Sequence, residues 1–242
     1  MISIICPFYN EKENLAELFA RLEKTAGRLD SRWEIIFVDD CSTDGGGGLL
    51  KSLLTPRQAI RLIELSPNQG LTGALYAGLK AAQGEILVTL DADLQNPPEE
   101  IPRLLSLLHE ADIVTGIRED RKDSWVKKTS SKIANAIRRS VTGDHIEDTG
   151  CSLRAFRRRT LKAFYPFHGM HRFFLPVAEA EGFKIKQIPV RHDARRRGRS
   201  KYGLRNRLLG PLWDLVAVRW LLSKKIRLST MEEPWSLPQN SG

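Results

Sequence analysis

The chain has 242 residues, enough for one large domain or one domain with a small appendage. With 41% hydrophobic and 28% charged residues it can build a sizeable core, and the composition is not that of a membrane-embedded protein. A net charge of +9 and a pI of about 9.6 favour a polyanionic partner: nucleic acid, anionic lipid or a phosphate-rich substrate.

The first half alternates short apolar runs with helical patterns. "ISIICP" (2–7) reads as a buried strand, and "ENLAELFARLEKTAGRL" (13–29) spaces Leu15, Leu18, Leu22 and Leu29 as one helix face. "WEIIFVDD" (33–40) and "AIRLIEL" (59–65) are the next strands, and "GLTGALYAGLKAAQG" (70–84) is a helix of small residues. "EILVTLDAD" (85–93), a helix with proline in its first turn (98–110) and "ADIVTGIR" (111–118) complete the series. Strands separated by helices predict a mostly parallel, doubly wound α/β sheet. Ligands bind beyond the carboxyl ends of such strands. Three of those ends carry polar residues, at 7–11, 39–44 and 91–95, and in such a sheet they build one site.

The second half is basic. A helix is predicted over 124–141, then a turn, a short strand and a helix start in "DTGCSLRAFRRRTL" (148–161), then helix, turn and strand over 171–193. "RRRGRSKYGLRNR" (195–207) contains no acid, and residues 231–242 are expected to be a disordered tail. The apolar stretch 208–223 contains Asp214 and Arg219 and is too short and interrupted to span a bilayer comfortably. No signal peptide is visible at the start. The three cysteines, Cys6, Cys41 and Cys151, are far apart, which suggests neither zinc nor a disulfide framework but reduced, buried thiols of a cytosolic protein.

Two acids one residue apart after a buried strand, Asp91 and Asp93, suit Mg2+ or Mn2+ shared with a diphosphate, with Gln95 able to supply or orient a further ligand. The alternative is a solvated turn. Asp40 could accept hydrogen bonds from a nucleobase or ribose, or Asp39, Ser42 and Asp44 could merely cap a turn. Gly45–Gly48 lack the Lys-Ser/Thr of a P-loop and read as a flexible turn. The run 195–201 is either a solvated charge patch or a loop closing over phosphates. The five histidines show no ligand spacing and read as structural.

"PFYNEKENL", "EIIFVDDCSTDG", "NQGLTGALYAGLKAAQGEILVTLDADLQNPPEEIP", "DTGCSLRAF" and "RGRSKYG" occur in the order and spacing of family 2 glycosyltransferases. Residues 2–207 resemble that family, most nearly the subgroup of dolichyl-phosphate mannose synthases and bacterial polyprenyl-phosphate glycosyltransferases. The resemblance implies a GT-A domain over 1–207. Where synthases that act alone often carry transmembrane helices, the composition here suggests instead an amphipathic, membrane-interfacial helix over 208–230, or else a helix packed on the core, before the tail over 231–242. The resemblance implies nucleotide-sugar binding by Pro7, Tyr9, Glu11, Val38, Asp40, Asp91, Ala92, Asp93, Arg118, Arg195 and Lys201, and a metal, Mg2+ or Mn2+, on Asp91, Asp93 and Gln95. Lys127 and Ser131 fall on the acceptor-phosphate pair, and Asp148 lies where relatives place an acid near the acceptor.

The expected activity is inverting transfer from a GDP- or UDP-sugar to a polyprenyl or dolichyl phosphate. Asp93, Arg195, Lys201 and Asp148 would be the catalytic residues, Asp148 as base if the acceptor is a hydroxyl. A sugar or protein hydroxyl acceptor is the alternative within this class; a basic nucleic-acid or membrane-surface binding protein is the alternative outside it. The acidic loops disfavour nucleic acid as a partner. The expected location is the cytoplasmic face of the membrane, reached peripherally or through a membrane-bound partner.

Overall fold

The computed structural model describes residues 1–55, 59–118, 135–194 and 204–224, with side chains of the last segment described from residue 213. Its elements are β1 (Ile2–Phe8), α1 (Lys12–Ala26), β2 (Trp33–Asp39), α2 (Gly46–Leu53), β3 (Ile60–Glu64), α3 (Gly70–Ala81), β4 (Ile86–Thr89), α4 (Ile101–Ser106) and β5 (Ile113–Arg118), then helix α5 over 135–142. β6 (Arg154–Arg157), α6 (Phe174–Ala180), β7 (Ile185–Val190) and α7 (Leu204–Ser223) follow. The strands form one sheet in the order β3-β2-β1-β4-β6-β5-β7.

Within β1, β2, β3 and β4 every pairing is parallel, as is β5 with β7. β6 runs antiparallel to both its neighbours, β4 and β5. The expected mostly parallel sheet is therefore present, with one reversed strand wedged between its two parallel blocks. The chain runs outward from β1 through β2 to β3, then returns to place β4 on the other side of β1. That reversal is the crevice at which open α/β sheets bind ligands.

Both sheet faces are covered, which is why the central strands are apolar throughout instead of alternating. Ile4, Cys6 and Phe8 of β1 face α1 and α2 with Leu15, Leu18 and Leu50, while Ile5 faces α3 with Leu75 and Leu79. The small residues of α3 let it lie close to the sheet: a Cβ on Gly78 would stand 2.5 Å from Ile5 Cγ2 and 3.0 Å from Val38 Cγ2. Gly45–Gly48 are not a flexible turn. Gly45 adopts a left-handed φ of 80° and Gly46 opens α2. A Cβ on Gly47 would meet Asp39 Oδ2 at 2.7 Å, so glycine permits the close approach of α2 to the end of β2.

α7 is a helix whose described side chains, from residue 213 on, present apolar residues both inward and outward. Leu215 and Val218 are buried in the core that α3 and α6 share, whereas Trp213 (76% exposed), Val216 and Trp220 (62% exposed) form a second apolar stripe facing outward. No helix among the described residues is long and apolar enough to cross a membrane. The tail expected over 231–242 lies outside the described residues.

Candidate active site

The loops after β1 and β2 are knitted together. The ladder extends one residue past β2 through Asp40 N–H to Phe8 O (2.9 Å). Asn10, at a φ of 51°, donates its N–H to Ser42 Oγ (2.9 Å) and accepts from Thr43 N–H (2.7 Å) on Oδ1. Asp39 accepts from Ser42 N–H (2.8 Å), and Asp44 from Lys12 N–H and Gly46 N–H (both 2.8 Å). The capping reading of Asp39 and Asp44 is thus what their side chains do. Tyr9 is exposed at the rim, and buried Glu11 accepts from Asn14 Nδ2 (2.7 Å). Pro7 and Val38 pair across the β1–β2 ladder. Val38 packs its side chain under α3, in the buried cluster on that face of the sheet.

Asp40 is held by a third loop that sequence reasoning did not single out. Its Oδ1 accepts from Gln69 N–H (2.6 Å), and its carbonyl accepts from Asn68 Nδ2 (2.6 Å). Burial raises its pKa, and the Gln69 N–H works in the opposite direction. The carboxylate therefore stands at the crevice with one oxygen fixed by the start of α3.

The acid pair follows β4. Asp91 N–H donates to Ser152 Oγ (3.1 Å), Ala92 is buried, and Asp93 Oδ1 accepts from Gln95 N–H (3.1 Å) while Leu94 turns the chain with a φ of 59°. Burial and then the neighbouring charge of Asp93 push Asp91 up to about 6. Asp91, Asp93 and Glu11 all act on the buried Cys6 thiol, whose pKa burial raises first. Glu11 follows β1, and Asp91 and Asp93 follow β4, the parallel strand paired beside it. Cys151 is buried as expected, but Cys41 is exposed; all three thiols are free.

Gln95 ties the acid loop to the segment after β7. Its Nε2 donates to Asp193 O (3.3 Å), and Asp193 N–H donates to Gln95 O (2.8 Å). Among the described residues no three His, Cys, Asp or Glu side chains gather as a complete metal cage. The pair Asp91 and Asp93 still suits a divalent cation: two crowded carboxylates, one already disfavoured as an anion, are what a shared cation relieves. Mg2+ in particular is commonly held by one or two carboxylates, with phosphate and water oxygens completing its shell.

Behind the acids stand two guanidinium groups. Arg118, at the end of β5, makes a bidentate pair with Asp148. Arg154, at the start of β6, is buried and donates only to carbonyls. Sequence reasoning found the first and missed the second, along with Ser152 and Asn96, whose Nδ2 donates to Ser152 Oγ (2.9 Å). Among the sequence-predicted residues, the crevice brings together Pro7, Tyr9, Glu11, Asp40, Asp91, Ala92, Asp93 and Gln95, with Arg118 and Asp148 beside them. Lys127, Ser131, Arg195 and Lys201 lie outside the described residues.

The profile of glycosyl transferase family 2 matches residues 3–164, which carry β1 to β6 and the acid loops. The chain belongs to glycosyl transferase family 2. Among curated family 2 relatives, it is 40% identical over 217 residues to undecaprenyl-phosphate 4-deoxy-4-formamido-L-arabinose transferase of Sodalis glossinidius (strain morsitans), and 37% identical to the enzyme of that name from Edwardsiella ictaluri (strain 93-146). Each match covers 89% of this chain, which spans 66% of the relatives' length. The GT-A fold is shared with solved glycosyltransferase structures. Glucosyl-3-phosphoglycerate synthase from Mycobacterium tuberculosis, in complex with Mn2+, UDP and phosphoglyceric acid, superposes with a TM-score of 0.68 at 19% identity, over 95% of this chain and 80% of that one. A mannosyltransferase from Pyrobaculum calidifontis, in complex with GDP-Man and Mn2+, gives 0.66 at 22% identity, over 91% and 64%.

Proposed function

We propose that this domain transfers a sugar, with inversion, from a GDP- or UDP-sugar to a polyprenyl phosphate, using Mg2+ or Mn2+ held by Asp91 and Asp93. What supports this reading is that Asp40, Glu11 and the pair Asp91 and Asp93 follow the carboxyl ends of three adjacent parallel strands, β2, β1 and β4, at the strand-order reversal, with burial and Asp93 raising Asp91 to about 6. The printed names of the two curated relatives support the acceptor class.

In this reading Asp40 receives the base or ribose, with Tyr9 at the rim. A bound divalent cation would neutralise charge developing on the leaving diphosphate. Asp91 and Asp93 orient the diphosphate so that the anomeric carbon faces the acceptor. Asp193, the second residue before Arg195 in the sequence, is hydrogen-bonded to Gln95 of the acid loop. Arg195 and Lys201, on the family's closing loop by resemblance, are the proposed closing cations on the diphosphate. Lys127 and Ser131 are the proposed acceptor-phosphate contacts.

A phosphate monoester has its second pKa at about 6, so near neutrality it attacks as a dianion and needs no strong base. That matches Asp148, both of whose oxygens accept from Arg118. The arrangement weighs against Asp148 as the base for a hydroxyl acceptor. A polyprenyl tail stays in the bilayer, and the outward Trp213, Val216 and Trp220 with Arg219 and Lys224 are the proposed surface contact at the cytoplasmic face.

The test is a panel of GDP- and UDP-sugars with Mn2+ and a short polyprenyl phosphate, reading lipid-linked product. Product should form with one donor and disappear in Asp93→Ala with melting unchanged, because Asp93 contributes little to the core. Normal turnover in that variant would remove the acid-pair assignment, and no lipid-linked product with any donor would remove the acceptor class.

A further inference from the structure

Arg154 is a buried guanidinium whose hydrogen bonds all end on neutral carbonyls: Nε to Cys151 O (3.0 Å), Nη2 to Thr149 O (2.7 Å) and Nη1 to His171 O (3.1 Å). Burying a charge without a carboxylate in direct contact is costly, and an apolar residue would fill a core position more cheaply. The two near carbonyls belong to the turn that leads into Ser152. Ser152 carries the acid loop: its Oγ accepts from Asp91 N–H (3.1 Å) and Asn96 Nδ2 (2.9 Å), leaving its one proton to face the Asp91 carboxylate. Its carbonyl accepts from Thr89 Oγ1 (2.8 Å).

The far end of the strut is equally fixed. His171 Nδ1 meets Thr72 Oγ1 at 2.7 Å, and the same hydroxyl accepts from Gly169 N–H (3.0 Å). Thr72 lies in the first turn of α3, directly after the Asn68–Gln69 loop that grips Asp40. Arg154 thus connects the acid loop on one side of β1 to the helix that fixes Asp40 on the other.

We infer that Arg154 is a positioning residue, which through Ser152 holds Asp91 in the geometry that lets the acid pair capture a divalent cation together with a nucleoside diphosphate. This rests on the functional reading above. Groups that orient metal-binding carboxylates from behind typically change metal affinity by roughly 10- to 100-fold when removed.

The experiment is calorimetric titration of the full chain with GDP and with UDP, each with and without Mn2+, and with the nucleosides alone. Arg154→Met and Ser152→Ala should lower the Mn2+-dependent gain in nucleotide affinity by about tenfold or more. Metal-free nucleoside affinity should stay within about twofold, since Asp40 and Gln69 are untouched. Arg154→Lys, which can still donate to carbonyls, should keep most of the gain. Ser152→Ala removes no charge from the interior, so it carries the test if Arg154→Met does not fold. A folded Ser152→Ala with the full Mn2+-dependent gain overturns the inference while leaving the functional reading intact. A wild-type chain with no Mn2+-dependent gain for either nucleotide overturns the functional reading, and the inference with it.

Discussion

Arg118 and Asp148 meet fork to fork: Nε lies 2.8 Å from Oδ2, and Nη2 lies 2.8 Å from Oδ1. Both side chains are largely shielded, so neither charge is well served by water once the other is gone. Asp148→Asn should therefore cost about 3 kcal/mol by leaving Arg118 buried without its counter-charge. Combining it with Arg118→Gln should cost less than the two single changes summed, as measured by urea unfolding of all four chains. An additive cycle would show that the pair is not coupled.

Asp40→Ala should weaken binding of the free nucleoside and lower stability by about 1–2 kcal/mol. The Gln69 N–H, hydrogen-bonded to the buried Asp40 carboxylate, loses its acceptor, and the start of α3 loses an anchor. At saturating nucleotide sugar, the single-turnover rate should change far less than the affinity. A reduced rate with unchanged affinity would move Asp40 from nucleoside binding into the chemistry.

His171 gives stability a defined acid dependence. Burial, then the positive charges of Arg172 and Arg154, push its pKa down to about 3 from an ordinary 6.5. Above pH 6.5 the ring is neutral in both folded and unfolded chains, and it contributes no slope. Below that, the unfolded chain takes up a proton that the folded chain refuses, so stability falls as pH drops from 6.5 towards 3. The slope is at most about 1.4 kcal/mol per pH unit. Between pH 7 and 4.5 the wild-type chain should lose about 2–3 kcal/mol more than His171→Gln, read from paired urea titrations.

The outward stripe of α7 should act at a lipid surface. Sedimentation with anionic liposomes is expected at low salt and release at high salt, since each basic residue near the surface contributes about 1 kcal/mol that salt attenuates. Replacing Trp213 and Trp220 together by alanine should reduce the salt-resistant fraction. No co-sedimentation at low salt would point to a membrane-bound partner or a soluble acceptor instead.

Much of the crevice was legible because its residues lie where an apolar run stops. Asp40 and Asp91 follow buried strands directly, and a parallel sheet aligns such ends without further information. β6 was harder: "RAFR" is four residues long, and nothing in its composition says that it runs against its neighbours. The supports of the site were hidden for a different reason. Ser152 is 61 positions from Asp91, Thr72 is 99 from His171, and such pairs leave no local period. α7 was ambiguous in another way: among its described side chains, apolar residues face both the core and the outside, and a hydropathy pattern does not say which is which.

The reversed strand β6 also sets a timetable. β1 to β4 pair among themselves within the first 89 residues, whereas β5 pairs only with β6 and β7, whose residues come at 154–157 and 185–190. During synthesis, the half of the sheet that bears Asp40 and the acid pair can assemble while β5 waits with unpaired edges. The two blocks can join only when the ribosome has delivered β6, the strand that begins with Arg154, and β7 completes the sheet later still. Ser152, the hydroxyl under Asp91, emerges just before β6. The acid loop therefore gains its support at the moment the two blocks join, so a nascent chain halted before β6 should stay protease-sensitive and unable to retain nucleotide.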